Sequence, residues 1–327
     1  MISRVADHLF WLGRYLERAE STARALAVTR NLSLDGELRP RQAWLPAVVV
    51  FGEEEPFRAR LGEAALEDGE AVQRYLTWND DAASIAQAIR GARENARSVR
   101  EVVSLETWEA VNELNLWLAG AGGDAFERDR HGFYRAVREA VQRTLGVVHG
   151  TMLHDDAFDF LFLGLMLERS GQTARTLDVH HHALGGAHQV VETALWLALL
   201  RACSGFEPYM KRYQGEASAE SVAGFLILDA RFPRSIAYCL GDAAERLGRL
   251  RTAASDPRGG SLTRLRTLLA WVLDEAPPAV GTGRLHDLLT RVVDEAHAIC
   301  REIGAELLGV QASPSPAGAP GPAVGLQ

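Results

Sequence analysis

Two stretches of the chain carry the same charged residues at the same spacing. Phe10 to Val28 reads FWLGRYLERAESTARALAV and Leu161 to Val179 reads LFLGLMLERSGQTARTLDV; aligned without a gap at an offset of 151, ten of nineteen positions are identical. The shared set includes Gly13 and Gly164, Glu17 and Glu168, Arg18 and Arg169, Arg24 and Arg175. A carboxylate among guanidiniums supports three kinds of chemistry. Glu17 or Glu168 could act as a general base if burial raises its pKa. With Arg18, Arg24, Arg169 and Arg175 the two glutamates could line a central pocket for an anionic or peptide-like ligand. The same charges could instead form ion pairs that only lock helix register.

The second copy loses other polar groups, since Arg14 and Tyr15 become Leu165 and Met166 and Glu20 becomes Gly171. Charges kept while their neighbours turn apolar suggest ions buried at an interface, where each needs a partner. Seven residues separate Glu17 from Arg24, about 10 Å along a helix. Each is therefore expected to find its partner on another helix, as are Glu168 and Arg175, and a two-fold arrangement would let the copies pair reciprocally. Gly13 and Gly164 would let a backbone or a ligand come close.

Three further groups carry candidate chemistry. ARENARSVRE from Ala92 to Glu101, followed by Trp108, puts Arg93, Arg97 and Arg100 on one helical face with Glu94 and Glu101 beside it and includes Asn95; a solvated face is its simplest reading. FPRS from Phe232 to Ser235 could start a helix at Pro233 and present Arg234 and the amides near Ser235 to an anion. Asp155, Asp156 and Asp159 have the DDxxD spacing of a magnesium-diphosphate site. They lack a second acidic motif, however, and acids also favour a helix N-terminus.

His180 to His182 point around a helix rather than to one side, and Asp294-x-x-His297 is a lone pair that reads as a solvated face. A di-iron bundle would need two Glu-x-x-His segments. No metal and no cofactor are expected, and no Walker loop, nucleophile elbow or zinc signature occurs.

The elements that must position these groups are helices. Val5, Leu9, Leu12, Leu16, Ala19, Ala23 and Leu26 recur at helical spacing, and the only β-branched run is Val48 to Val50. Leu9, Leu12, Leu16, Ala19 and Ala23 form one stripe with Gly13, Glu17 and Arg24 on its flank. Weaker matches continue the repeat: Trp44 with Trp196, Ser84-Ile85 with Ser235-Ile236, Glu94 with Glu245, and Arg100 with Arg251. The fold is expected to be all-α, a helical bundle built from two tandem copies of one unit about a pseudo-two-fold axis. One domain should cover 1–311, with repeats at about 1–150 and 151–311, and 312–327 should be a disordered Pro/Gly/Ala tail. Breaks are expected at Asp35-Gly36, Gly120 to Gly123, Gly185-Gly186, Asp256-Pro257, Gly259-Gly260 and Pro277-Pro278.

Bulk properties narrow the function. A chain of 327 residues with 47% hydrophobic and 24% charged residues can bury a sizeable core, and a net charge of -8 argues against nucleic acid. Of 35 basic residues only Lys211 is lysine, and it lies in no glycine-rich loop, which disfavours Schiff-base and P-loop mechanisms. Three widely spaced cysteines suit a reducing compartment, and no apolar run is long enough to cross a membrane. A cytoplasmic protein is expected.

Taken together, SRVADHLFWLGRYLERAESTARAL, FLFLGLMLERSGQTARTLDV, ARENARSVREVVSLETWEAVNEL and FLILDARFPRSIAYCL resemble the successive motifs of the bacterial alpha-E domain family, over nearly all of the chain up to about residue 310. That family is all-helical and typically encoded beside a circularly permuted ATP-grasp ligase and a transglutaminase-like protein. The resemblance implies an accessory or binding protein of an ATP-dependent amide-bond forming or peptide-modification system, with that ligase as partner. It places the family's functional residues at Glu17 and Glu168, at Arg18, Arg24, Arg169 and Arg175, at Glu94, Asn95, Arg97, Arg100 and Trp108, and at Pro233, Arg234 and Ser235. An enzyme of the same pathway and a purely structural scaffold are the alternatives.

Overall fold

Ser3 to Leu34 contains no proline and one glycine, and its leucines and alanines recur every three to four residues, so it forms one long helix, α1 (Ser3–Leu34). The rest of the computed structural model is helical too. It describes residues 2–34, 39–81, 83–183, 189–213, 217–250, 260–280 and 284–309, apart from the side chains of 180–183, 189–192 and 278. The first half continues with α2 (Pro40–Val50), α3 (Glu54–Leu61), α4 (Gly69–Trp78), α5 (Ile85–Ser98), α6 (Leu105–Trp117), α7 (Gly123–Arg128) and α8 (Arg130–Thr151). The second half holds α9 (Asp156–Ala183), α10 (Gln189–Ala202), α11 (Phe206–Arg212), α12 (Ala219–Leu228), α13 (Ile236–Leu250), α14 (Ser261–Ala279) and α15 (Leu285–Glu306). No strand occurs among the described residues.

The two halves pack in the same order. Helix α1 lies against α5 and α8, which α6 bridges; α9 lies against α13 and α15, which α14 bridges. Helices α2 and α10 each touch both α1 and α9, and one apolar core runs through both halves from Ala6 to Leu308.

The α1–α9 contact is where the halves meet most extensively. A Cβ added at Gly13 would lie 1.9 Å from the Leu161 carbonyl oxygen, and one at Gly164 would lie 2.0 Å from the Phe10 carbonyl oxygen. These contacts are equivalent under the 151-residue offset. Only glycine permits them, because the obstacle is backbone and cannot rotate away. The stripe Leu9, Leu12, Leu16, Ala19, Ala23 and Leu26 is fully buried behind this crossing.

Two expected breaks are not breaks. Residues Leu118–Gly122 form one π-helical turn that runs into α7, and α14 continues through Pro277 and Pro278 to Ala279. Glycine lowers helix stability without forbidding it, and the core contact of Phe126 holds α7 in place. Residues 35–36, 185–186, 256–259 and 312–327 lie outside the described residues, as does Arg251.

Candidate functional site

The repeated Glu-Arg pairs meet across α1 and α9 and answer each other. Glu17 Oε2 accepts from Arg169 Nε at 2.9 Å and Nη2 at 2.7 Å. Glu168 accepts from Arg18 Nε at 2.7 Å and Nη2 at 3.2 Å. The residue one turn on supports each glutamate, Ser21 Oγ donating to Glu17 at 2.9 Å and Gln172 Nε2 to Glu168 at 3.1 Å. All these pairs are equivalent under the 151-residue offset. Beyond them the two sides diverge.

On the Glu17 side the charges close on one another. Glu17 is 0% exposed, and Arg234 Nη1 donates to its Oε1 at 2.6 Å. Arg234 Nη2 reaches Glu20 Oε2 at 2.7 Å, while Arg24 and Gln142 donate to Glu20 Oε1. Burial raises the Glu20 carboxyl pKa, but Arg234, Arg24 and Arg169 outweigh it and hold it down at about 2. The cavity left beside this cluster, between Glu17, Arg169, Thr173 and Arg234, is only about 20 Å³.

On the Glu168 side they do not close. Arg14 joins Arg18 on Glu168, with Nε 2.8 Å and Nη2 2.7 Å from Oε2. Burial of Glu168 is again outweighed by its two arginines, and its carboxyl is held far below the usual range. Arg175, the equivalent of Arg24, has no carboxylate within ion-pairing distance among the described residues; its Nη2 meets His297 Nε2 at 2.8 Å. Burial and the nearby Arg175 and Arg14 lower the His297 pKa, so the ring is neutral near pH 7 and its Nε2 accepts from the guanidinium.

Arg175 opens onto a cavity of about 220 Å³. Arg14, Arg18, Glu168, Gln172 and His297 line its polar side, and Phe51, Leu167, Val293 and Ala296 its apolar side. Two differences between the halves accompany this space. Position 171 is Gly where its equivalent is Glu20, and position 83 is Ala where its equivalent is Arg234; both Ala83 and Gly171 line the cavity. The Glu-Arg pair that fills the first side is thus missing from the second, leaving three guanidiniums facing one carboxylate.

Several expectations need correction. Arg24 pairs with Glu20 on its own helix, because that carboxylate lies one turn away. Arg175 does not pair with the first half. Ser235 is the N-cap of α13, its Oγ accepting from Tyr238 N at 3.1 Å and donating to the Asp229 carbonyl; Ser84 caps α5 in the same way. The amides after FPRS therefore serve the helix, and Arg234 serves Glu17 and Glu20.

Glu94, Asn95, Arg97, Arg100 and Trp108 lie away from both central cavities. Glu94 pairs with Arg93 and Arg97 on an exposed face, Asn95 bonds His8 at 2.9 Å, and Arg100 stacks on Trp108 at 4.8 Å. Asp159 is buried between Arg246 and Arg249 and Asp155 caps the start of α9, so the DDxxD spacing is spent on structure.

A free general base does not fit either glutamate. Arginines hold Glu168 ionised, and both Glu17 oxygens are already engaged by Arg169, Arg234 and Ser21. His297 is exposed, as the solvated-face reading expects, and it also lines the larger cavity, as do Arg14 and Gln172. The signal available for Arg14, Glu20 and the opening itself was the mismatch between the two similar segments rather than their identity. Nothing in the sequence joined His297 to Arg175; the fold brings it in from α15. The side chains of His180 to His182 lie outside the described residues. Among the described residues no group of three or more His, Cys, Asp or Glu is placed to hold a metal, and no helix is long and apolar enough to cross a membrane.

Comparison with known proteins fits this geometry. The model of a family called Alpha-E, "a predicted alpha-helical domain with a conserved ER motif", matches residues 1–308; here Glu-Arg stands at 17–18 and 168–169, the centre of the reciprocal pairing. Uncharacterized proteins of Mycobacterium bovis and Mycobacterium tuberculosis are 25% identical over 346 residues, covering 94% of this chain and 37% of theirs. The chain thus spans little more than a third of the length of these relatives. No solved structure matches.

Proposed function

We propose that this chain, which belongs to the Alpha-E family, is a binding protein whose central cavity takes the anionic group of a small ligand or peptide. The observation that carries the reading is Arg175, a guanidinium with no carboxylate partner among the described residues, facing a cavity of about 220 Å³ beside Arg14 and Arg18. Its planar fork suits a carboxylate or phosphate, and Arg14 and Arg18 add charge beyond what Glu168 neutralises. The Glu17 cluster then serves as the lock that fixes the helices around the site.

In its wider setting the protein is an accessory component of an amide-bond forming or peptide-modifying system, acting in the cytoplasm with a circularly permuted ATP-grasp ligase. Support comes from the family resemblance and from the site's fit to an anion such as the carboxylate that amide formation consumes. The two halves are read as copies of one ancestral unit. The reciprocal α1–α9 contacts support that reading.

Thermal unfolding with rising acetate or inorganic phosphate at constant ionic strength tests the binding site. The wild-type midpoint should climb saturably, as a ligand of the native state requires. Arg175→Met should abolish the climb while leaving the ligand-free stability within about 1 kcal/mol, because no ion pair is lost. An equal climb in both proteins would overturn the reading. Co-purification with the ligase, with ATP turnover measured with and without this chain, tests the partner.

A further inference from the structure

Resting on the anion-binding reading, we infer that the ligand's anionic group is a carboxylate on an aliphatic stem, held in the larger cavity as Glu20 is held in the first half, with His297 donating to it beside Arg175. The first half supplies the template. Arg24 Nη2 and Gln142 Nε2 converge there on one oxygen of the Glu20 carboxylate, Oε1, while Arg234 Nη2 donates to Oε2. Each of these four residues has a counterpart. Gly171 stands for Glu20, Arg175 for Arg24 and Ala83 for Arg234 at the 151-residue offset. His297 stands for Gln142 by the packing of α8 and α15. Every buried position of α8 recurs as a buried position of α15, from Phe133 with Leu288 to Val148 with Ile303, an offset of 155. All four counterparts line the cavity.

The donors show which group the site is built to hold. Where Arg24 and Gln142 share a carboxylate oxygen, Arg175 Nη2 and His297 Nε2 meet each other at 2.8 Å. Position 171 is glycine, so no side chain there supplies the acceptor. A ligand carboxylate oxygen would accept from both, since a neutral imidazole carries one N–H and either ring nitrogen can hold it. Its charge-assisted bond to Arg175 is stronger than the bond from Arg175 to a neutral ring, which favours the exchange. The stem also has room. A Cβ at Gly171 meets nothing within 4 Å, so aliphatic carbons can lie over α9 at the place equivalent to the Glu20 side chain on α1. Phe51, Leu167, Val293 and Ala296 supply an apolar wall beside them.

Calorimetric titration of the full chain with propionate and ethylphosphonate tests the inference. Propionate reproduces the end of a glutamate side chain, and ethylphosphonate puts a tetrahedral group of higher charge on the same stem. Charge alone would favour the phosphonate among these arginines, so tighter binding of propionate by wild type, the expected result, reports a site shaped for two oxygens. His297→Leu should weaken propionate binding about tenfold, as loss of one hydrogen bond to a charged group does, and His297→Gln, which installs the residue type of Gln142, should restore it to within about threefold of wild type. Arg175→Met should lose both probes. Ethylphosphonate bound as tightly as propionate, propionate unweakened in His297→Leu, or no recovery in His297→Gln would overturn the carboxylate and its contact with His297; loss of both probes in Arg175→Met would then still leave the anion site standing. Binding unchanged in Arg175→Met, or no binding of either probe to wild type, would overturn both readings.

Discussion

Arg24 and Arg175 occupy equivalent positions and meet opposite fates because of one residue four places earlier. Glu20 pairs with Arg24 on its own helix, whereas Gly171 offers Arg175 nothing. The identities of the charged residues were legible in the sequence, because they persist while their neighbours change. Arg24's partner was missed because a repeated arginine invites a repeated partner, and Glu20 is the residue the repeat drops. The buried carboxyls also set a pH dependence. Glu20 titrates at about 2 in the folded protein against 4.5 in a free side chain, and the Glu168 carboxyl is lowered as well. A depressed carboxyl pKa contributes stability that is complete above the unfolded value and lost as pH falls through the folded one. Urea denaturation should therefore give a midpoint that holds above about pH 4.5 and drops steadily toward about pH 2. A midpoint flat across that window would mean that these ion pairs contribute nothing.

At the scale of elements, the crossing of α1 and α9 depends on two glycines that admit backbone. Gly13→Ala and Gly164→Ala would each push a methyl group into a carbonyl oxygen about 2 Å away, and each should cost about 3 kcal/mol or more, as overpacking does when the obstacle cannot move. Gly146→Ala in α8, where a Cβ meets nothing within 4 Å, should instead stabilise by about 0.5–1 kcal/mol. Chemical denaturation of the three variants checks the contrast; equal effects at all three sites would refute the close crossing. That a glycine here admits a neighbour was legible from its place beside buried charge. Which neighbour was not, since a glycine records room and not its occupant. Ser84 and Ser235 show the same limit: the repeated Ser-Ile step was visible, and only the helices after it reveal two N-caps.

For the molecule as a whole, helical periodicity made the fold class legible, while the convergence of α15 on α9 that brings His297 to Arg175 needed tertiary structure. The packing of α1, α5, α6 and α8 recurs in α9, α13, α14 and α15, yet one central cluster is filled and the other hollow. The difference traces to Glu20 against Gly171 and Arg234 against Ala83. If that is why the cavity is open, restoring one missing carboxylate should close it. A Cβ at Gly171 meets nothing within 4 Å, so nothing blocks the first carbon of Gly171→Glu, and its carboxylate would lie one turn from Arg175, a pairing worth about 0.2–0.5 kcal/mol on a helix. The decisive measurement is calorimetric titration of Gly171→Glu with acetate beside wild type, with thermal unfolding of both. We predict a variant at least as stable as wild type that no longer binds acetate. A folded Gly171→Glu that binds acetate as wild type does would contradict Arg175 as the anion-binding residue of this cavity.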